Sequence, residues 1–364
     1  MHWKILLVII LISFGALISC TNNENETSKI DLSTLSEVVP EEISRFDNLG
    51  DIYLSHLGYK SIGLDSNRVI IADRENPMII LTNIDGDLIK KIREGRGPGE
   101  VLDAYEFVKT NDNKIYINDN GNKKVIVVDN RLNFITEFKP QSLEGTSIVN
   151  VYPGVGSKFL FELTSFDFLQ NKEKEREKVL VQYDLSKEEY GKKITIKDRP
   201  YARTYLDGRL VGARQVPYSD IALTSYNQDK RSLFVYETSK SQIIEINSEF
   251  DTLNTISIKL PTEELSDSEI DSLKEGRRSE QWKTMSSFLP SFKSEAESFI
   301  YYNNHFWIQS NLRGNYQKWF LLDINGKILK TVKLPKNVII THITKDNIGV
   351  RLDDSTFGLF ESAE

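Results

Sequence analysis

Along most of the chain, apolar and polar residues alternate in short runs, and the runs recur in a fixed order. Six seven-residue segments align without gaps: Asn67–Asp73, Asn113–Asp119, Ser157–Leu163, Arg231–Glu237, Asn304–Ser310 and Asn347–Asp353. Each opens in a turn and continues into β-branched and aromatic residues, which favour strands. Their starts lie about 45 residues apart, the length of a four-stranded propeller blade. Two intervals are longer by roughly 30 residues, too little for another blade.

Each segment is followed by a second apolar run: Met78–Asn83, Lys124–Asp129, Val179–Asp184, Gln242–Asn247, Lys318–Asp323 and Thr356–Phe360. Turns such as Asp85-Gly86 and Asn325-Gly326 then lead to a further strand at 88–92, 134–138 and 328–332. Asp-Gly and Asn-Gly are strong hairpin signals. The expected fold is all-β: a six-bladed propeller of four-stranded antiparallel blades over residues 38–364. The sixth unit stops at Glu364 without room for its fourth strand. Residues 43 to 54, ending in Asp51–Leu54, are expected to close it, which removes an aggregation-prone sheet edge.

The one helical insertion falls at Pro261–Ser298, between blades four and five. Ser266 to Glu269 form a capping box. Ile270, Leu273, Trp282, Met285 and Leu289 recur at near-helical spacing, Gly276 is placed to break the helix in two, and Pro290 ends it. Its apolar stripe reports burial on the blade tops, with a lid over the mouth as the other reading.

Between the first two units runs Arg93–Val101, with Gly95, Gly97, Pro98 and Gly99. Glycine admits positive φ and proline fixes φ, so the stretch must be a tight preset loop. Gly86 to Asp129 as a whole resembles the NHL repeat, most clearly through Ile117–Asp129. Together with Gly97-Pro98-Gly99-Glu100, it is similar to six-bladed β-propeller lipoproteins of bacterial envelopes. The later links lack the Gly-Pro-Gly-Glu motif, so the resemblance covers the architecture but carries the motif once.

The N-terminus agrees with an envelope protein. Lys4 precedes an apolar run from Ile5 to Ile18, and Leu17-Ile18-Ser19-Cys20 looks like a lipobox. The run is short for a spanning helix, which needs about 20 apolar residues. The expectation is a signal peptide over 1–19, a lipid on Cys20 and a polar tether over 20–37. That places the protein at the outer membrane, periplasmic or surface-exposed, as a monomer. Cys20 is the only cysteine, so no disulfide is available. The net charge of −7 argues against nucleic acid, which needs a concentrated basic surface.

In an antiparallel four-stranded blade, the long segments 93–101, 164–178, 198–220 and 261–298 fall on one face. Long loops on a rigid scaffold usually carry binding. Arg93, Arg96, Glu100, Arg203, Tyr205, Arg214 and Trp282 are therefore the expected ligand-binding residues, since arginine and aromatics are enriched at interfaces. The alternative is that these side chains pair with nearby carboxylates and hold the loops down. Asp73, Asp119, Glu237 and Asp353 end their strands, where they are expected to cap turns rather than ring a cation. His56, His305 and His342 are too few and too dispersed for a three-histidine zinc site, and no cofactor motif is present. Two functions stay open: a binding module for a protein, peptide or glycan, or an envelope lyase or hydrolase. Carboxylates converging with tyrosine or arginine on the central channel would favour the enzyme.

Overall fold

The computed structural model describes residues 34–363, apart from 77 and 144. Cys20 and the signal segment lie outside the described residues. Six sheets make up the six blades of a propeller, each with four antiparallel strands and one of them extended by a fifth strand. Blade one is Ile62–Gly63, Arg68–Asp73, Met78–Asn83 and Leu88–Ile92; blade two is Ala104–Lys109, Lys114–Asp119, Lys124–Asp129 and Phe134–Phe138. Blade three is Thr146–Pro153, Lys158–Ser165, Lys178–Asp184 and Glu189–Ile196. Blades four and five begin at Ala222–Asn227 and Ser298–Tyr302.

Blade six takes Ile339–Ile343, Asn347–Arg351 and Phe357–Glu361 from the end of the chain and Glu42–Phe46 from near its start. The Phe46 ring rests 5.4 Å from that of Phe357. Leu49, Leu54 and Leu57 fill the seam to blade one, against Val69, Ile71 and Ile80. Asp51–Leu54 does not join the sheet. Gly50, at φ 67°, turns the chain into a small hairpin of Asn48–Leu49 with Ile52–Tyr53. The tether is also shorter than expected, because Ser36–Val38 pairs parallel with Ile328–Leu334 and gives blade five a fifth strand.

The helical insertion is two helices, Asp267–Lys274 and Ser279–Ser286, parted at Gly276 with φ 70°. The capping box is formed: Glu269 N–H donates to the Ser266 hydroxyl at 3.4 Å, and Ser266 N–H donates to the Glu269 carboxylate at 2.9 Å. Residues 198–220 hold a further hairpin, Tyr201–Leu206 with Arg209–Gln215. Its turn, Asp207-Gly208, has both residues at positive φ. The second helix covers this hairpin through Met285, which is buried with Ala202 and Val216.

The Gly-Pro-Gly link is fastened on all sides. Gly97 N–H donates to the Glu100 carboxylate at 2.7 Å, and Gly99 N–H to Glu137 at 3.0 Å. The buried Lys124 ammonium donates to Gly97 O and to Glu137, both at 2.8 Å. A side chain at Gly95 would meet the Glu100 carboxylate at 1.9 Å and so push it from its place in the loop.

If blade six depends on the early strand, Phe46→Ala should cost about 3 kcal/mol, as for other buried phenylalanines. Urea unfolding of the two proteins measures it. A loss below about 1 kcal/mol would show that the seam does not need this ring.

Candidate functional site

Two cavities stand out among the described residues. One is the central channel, about 370 Å³, walled by the innermost strands of all six blades. It reaches the turns at Asp65, Asp229, Asn303 and Asp346, so it opens on the face of short turns, opposite the long loops. The other is a groove of about 650 Å³ on the long-loop face between blades two and three.

The groove is the larger, but its partly buried polar groups bond within the protein. Arg176 donates to the Thr164 hydroxyl at 2.7 Å and pairs with Asp198 at 3.1 Å. Tyr190 donates to Gln141 O at 2.7 Å, and Asn118 to Ile148 O at 3.1 Å.

The seven residues expected to bind ligand fall into two groups: Arg203, Tyr205, Arg214 and Trp282 at the Tyr201–Gln215 hairpin, and Arg93, Arg96 and Glu100 on the Gly-Pro-Gly link. Arg93 borders a shallow pocket with Glu75, Asn76 and Glu94, and Arg96 is exposed on the link. Glu100 is turned inward to brace its own loop. Arg203 is nearly buried, and its guanidinium donates to the carbonyls of Phe168, Lys172, Asn171 and Lys174 at 2.8–3.0 Å. It organises the 166–178 loop and has little left for a ligand. The Lys172 ammonium sits 4.3 Å above the Tyr205 ring. Arg214 borders a small cleft with Arg277 and Gln281, and Trp282 packs against the Ala202, Val216 and Met285 cluster. Two further loop-face arginines are also paired: Arg199 with Glu297 at 2.6 Å and Arg313 with Glu263 at 3.0 Å.

Of the four carboxylates that end second strands, Asp73, Asp119 and Asp353 cap turns, whereas Glu237 pairs with Lys240 instead. Asp73 accepts from Glu75 N–H at 3.0 Å and Asn76 N–H at 3.2 Å; Asp353 accepts from Ser355 and Thr356, both at 2.8 Å. Among the described residues no three His, Cys, Asp or Glu side chains converge on a possible metal position.

One carboxylate, Glu106, lines the channel, and a second, Glu162, is bonded to the channel-lining Asn150, Tyr152 and Thr224. Glu162 is buried on the second strand of blade three. One oxygen pairs with the Lys178 ammonium at 2.7 Å; the other accepts from Tyr152 at 2.8 Å, Thr224 at 2.9 Å and Asn150 at 3.1 Å. Burial pushes this carboxyl up, but the Lys178 charge and the hydrogen bonds outweigh it and hold it below its ordinary range. This network is complete.

Glu106, on the innermost strand of blade two, is not satisfied in this way. Its carboxyl lines the cavity, and among the described residues it accepts no hydrogen bond and has no ion pair. Burial pushes it up to about 7; the Lys60 charge opposes this and the Glu162 charge adds to it. Lys60 also lines the channel and makes no ion pair or hydrogen bond among the described residues. Across the ring, His342 Nδ1 lies 2.5 Å from the Ser61 hydroxyl and Nε2 3.3 Å from Asn347 Oδ1. Burial lowers this imidazole to about 4, and Gly63 and Gly349 crowd its ring. It joins blade six to blade one.

The site was hard to find by reading loops. The available signal was a glutamate inside the apolar strand Ala104–Lys109, where an inner strand of a propeller faces the axis.

No family model and no curated protein matches the chain. Solved structures do match. A protein of Bacteroides fragilis NCTC 9343 named as exported is 14% identical at a TM-score of 0.50, covering 90% of this chain and 99% of that one. A member of the DUF4221 family from Bacteroides vulgatus ATCC 8482 is 10% identical at 0.52, covering 88% and 97%. The likeness is one of fold.

The folded value of Glu106 lies above its unfolded value, so ionisation destabilises the fold as pH rises through the ordinary glutamate range toward 7. Glu106→Gln should therefore gain stability over the parent at pH 8, by up to about 3 kcal/mol, and little at pH 5. Urea midpoints at both pH values test this. An equal difference at the two would contradict it.

Proposed function

We propose that this chain is a lipid-anchored binding protein of the bacterial envelope that takes a small polar ligand into its central channel. The reading rests on Glu106, a carboxyl that lines the channel without an ion pair or hydrogen bond among the described residues, while the neighbouring Glu162, Tyr152 and Tyr226 are all bonded. Natural proteins seldom leave a buried charge unpaired without a use for it. The arginines of the long-loop face offer less: Arg199, Arg203 and Arg313 are bound to the protein itself. The envelope assignment rests on the lipobox at Cys20, the NHL-like stretch Gly86–Asp129 and a fold shared with a protein named as exported. Thr21 stands where an aspartate would resemble an inner-membrane retention signal, which favours the outer membrane.

A second reading has a specific observation behind it. A carboxyl near 7 within the field of the Lys60 charge can exchange protons at neutral pH, as an envelope lyase or hydrolase would require. In that case Glu106→Gln would keep ligand binding and lose turnover.

Two variants test the proposal. Cys20→Ala should move the protein from the membrane to the soluble fraction; continued membrane attachment would refute the anchor. Lys345→Cys, exposed at the channel mouth, is coupled to a bulky maleimide and compared with a label at Arg209→Cys on the hairpin. Binding of hits from a peptide and saccharide screen should be blocked by the first label and spared by the second. The reverse pattern would put the site on the long-loop face.

A further inference from the structure

Apart from the exposed Asp229, Lys345 and Asp346 at its mouth, the channel offers two open charges of opposite sign. Glu106 and Lys60 both line it, attract one another, and yet lie too far apart to form an ion pair. Their neighbours are not available to satisfy them. Lys178 is held by Glu162 at 2.7 Å, and Arg74 by Asp103 at 3.0 Å. Tyr226 donates its hydroxyl to Pro153 O at 2.7 Å, and Tyr152 is fixed on Glu162 at 2.8 Å.

Each simple ligand class leaves a deficit. A neutral sugar brings no charge to either group. An anion would pair with Lys60 and strand Glu106; a cation would do the reverse. Stranding a buried charge is costly, whereas satisfying both is favourable. The complement is one molecule with both signs, a short distance apart.

We propose that the channel binds a small zwitterion, a free α-amino acid or dipeptide, with its ammonium on Glu106 and its carboxylate on Lys60. This rests on the channel reading above and narrows it. The ligand bridges the gap that the two side chains cannot close, through charge-assisted hydrogen bonds of about 2.8 Å at each end. A cavity of about 370 Å³ is at the small end for ligand sites and suits a molecule of that size. The groups facing Glu106 are Lys60 before the first strand of blade one, Arg74 at the end of its second strand, and Glu162 and Lys178 from blade three. Of these, Lys60 alone is unpaired. Binding needs Glu106 ionised, so affinity rises with pH through neutrality.

The test is calorimetry on the full chain in detergent. The panel is the twenty free amino acids and a set of their dipeptides, each with N-acetylated and C-amidated forms, beside neutral monosaccharides. At least one free form should bind, and blocking either end should weaken it roughly tenfold or more. Glu106→Gln should abolish the preference for a free ammonium and keep that for a free carboxylate; Lys60→Met should do the opposite. Affinity of the parent should rise roughly tenfold or more between pH 5.5 and 8. Equal binding of blocked and free forms overturns the proposal, as does no binding by any free form at millimolar concentration. A monosaccharide that binds and is excluded by the Lys345→Cys label overturns the zwitterion but keeps the channel. A ligand displaced only by the Arg209→Cys label overturns both.

Discussion

Each blade's incoming chain has to be held at the rim, and a buried carboxylate does this in blades one and two. Asp73 accepts from Ser55 N–H at 2.9 Å and His56 N–H at 3.3 Å, besides two N–H groups of its own turn. Asp119 likewise accepts from Leu102 at 3.2 Å and Asp103 at 3.0 Å, and from Asn122 in its turn at 3.2 Å. Backbone donors buried in a link must be paired, and an ionised acceptor satisfies several at once. Between blades four and five the arrangement is inverted. There Glu295 comes from the link, and the Tyr236 and Ser241 hydroxyls of blade four donate to it at 2.5 and 3.1 Å. These ties hold the chain entering blades one, two and five, whose innermost strands form part of the channel wall.

The same demand explains why the long loops are a poor guide to the working site. Long irregular segments carry many backbone groups without partners from regular structure. Arg203 satisfies four carbonyls of one such loop, and Lys124 and Glu137 hold the Gly-Pro-Gly link. Arg199, Arg203, Arg313 and Lys124 on that face are structural fasteners. On the other face the turns are short and largely self-satisfied. Charges on the inner strands there can face the cavity unpaired.

The architecture was legible because propeller blades repeat. The six segments starting at Asn67 and ending at Asp353 fall on second strands, since a buried strand cannot disguise its apolar run. The capping role of Asp73, Asp119 and Asp353 was also readable from their place before turns. The hairpin at Tyr201–Gln215 was announced by Asp207-Gly208 but hidden by its charged, irregular pattern. The site was much less legible. Arg203 and Glu100 have the composition of a binding surface, and only coordinates reveal the carbonyls and amides they serve. Glu106 occupies one position in one strand, and its isolation results from six blades meeting at an axis. No local pattern encodes that.

The proposed site depends on Glu106 being an unpaired carboxyl in the channel. Its titration can be followed directly by carbon NMR of the protein labelled at glutamate side-chain carboxyls, with Glu106→Gln to assign the signal. A midpoint at about 7 is expected. A midpoint in the ordinary glutamate range would mean that the carboxyl is solvated or paired, and would contradict the account.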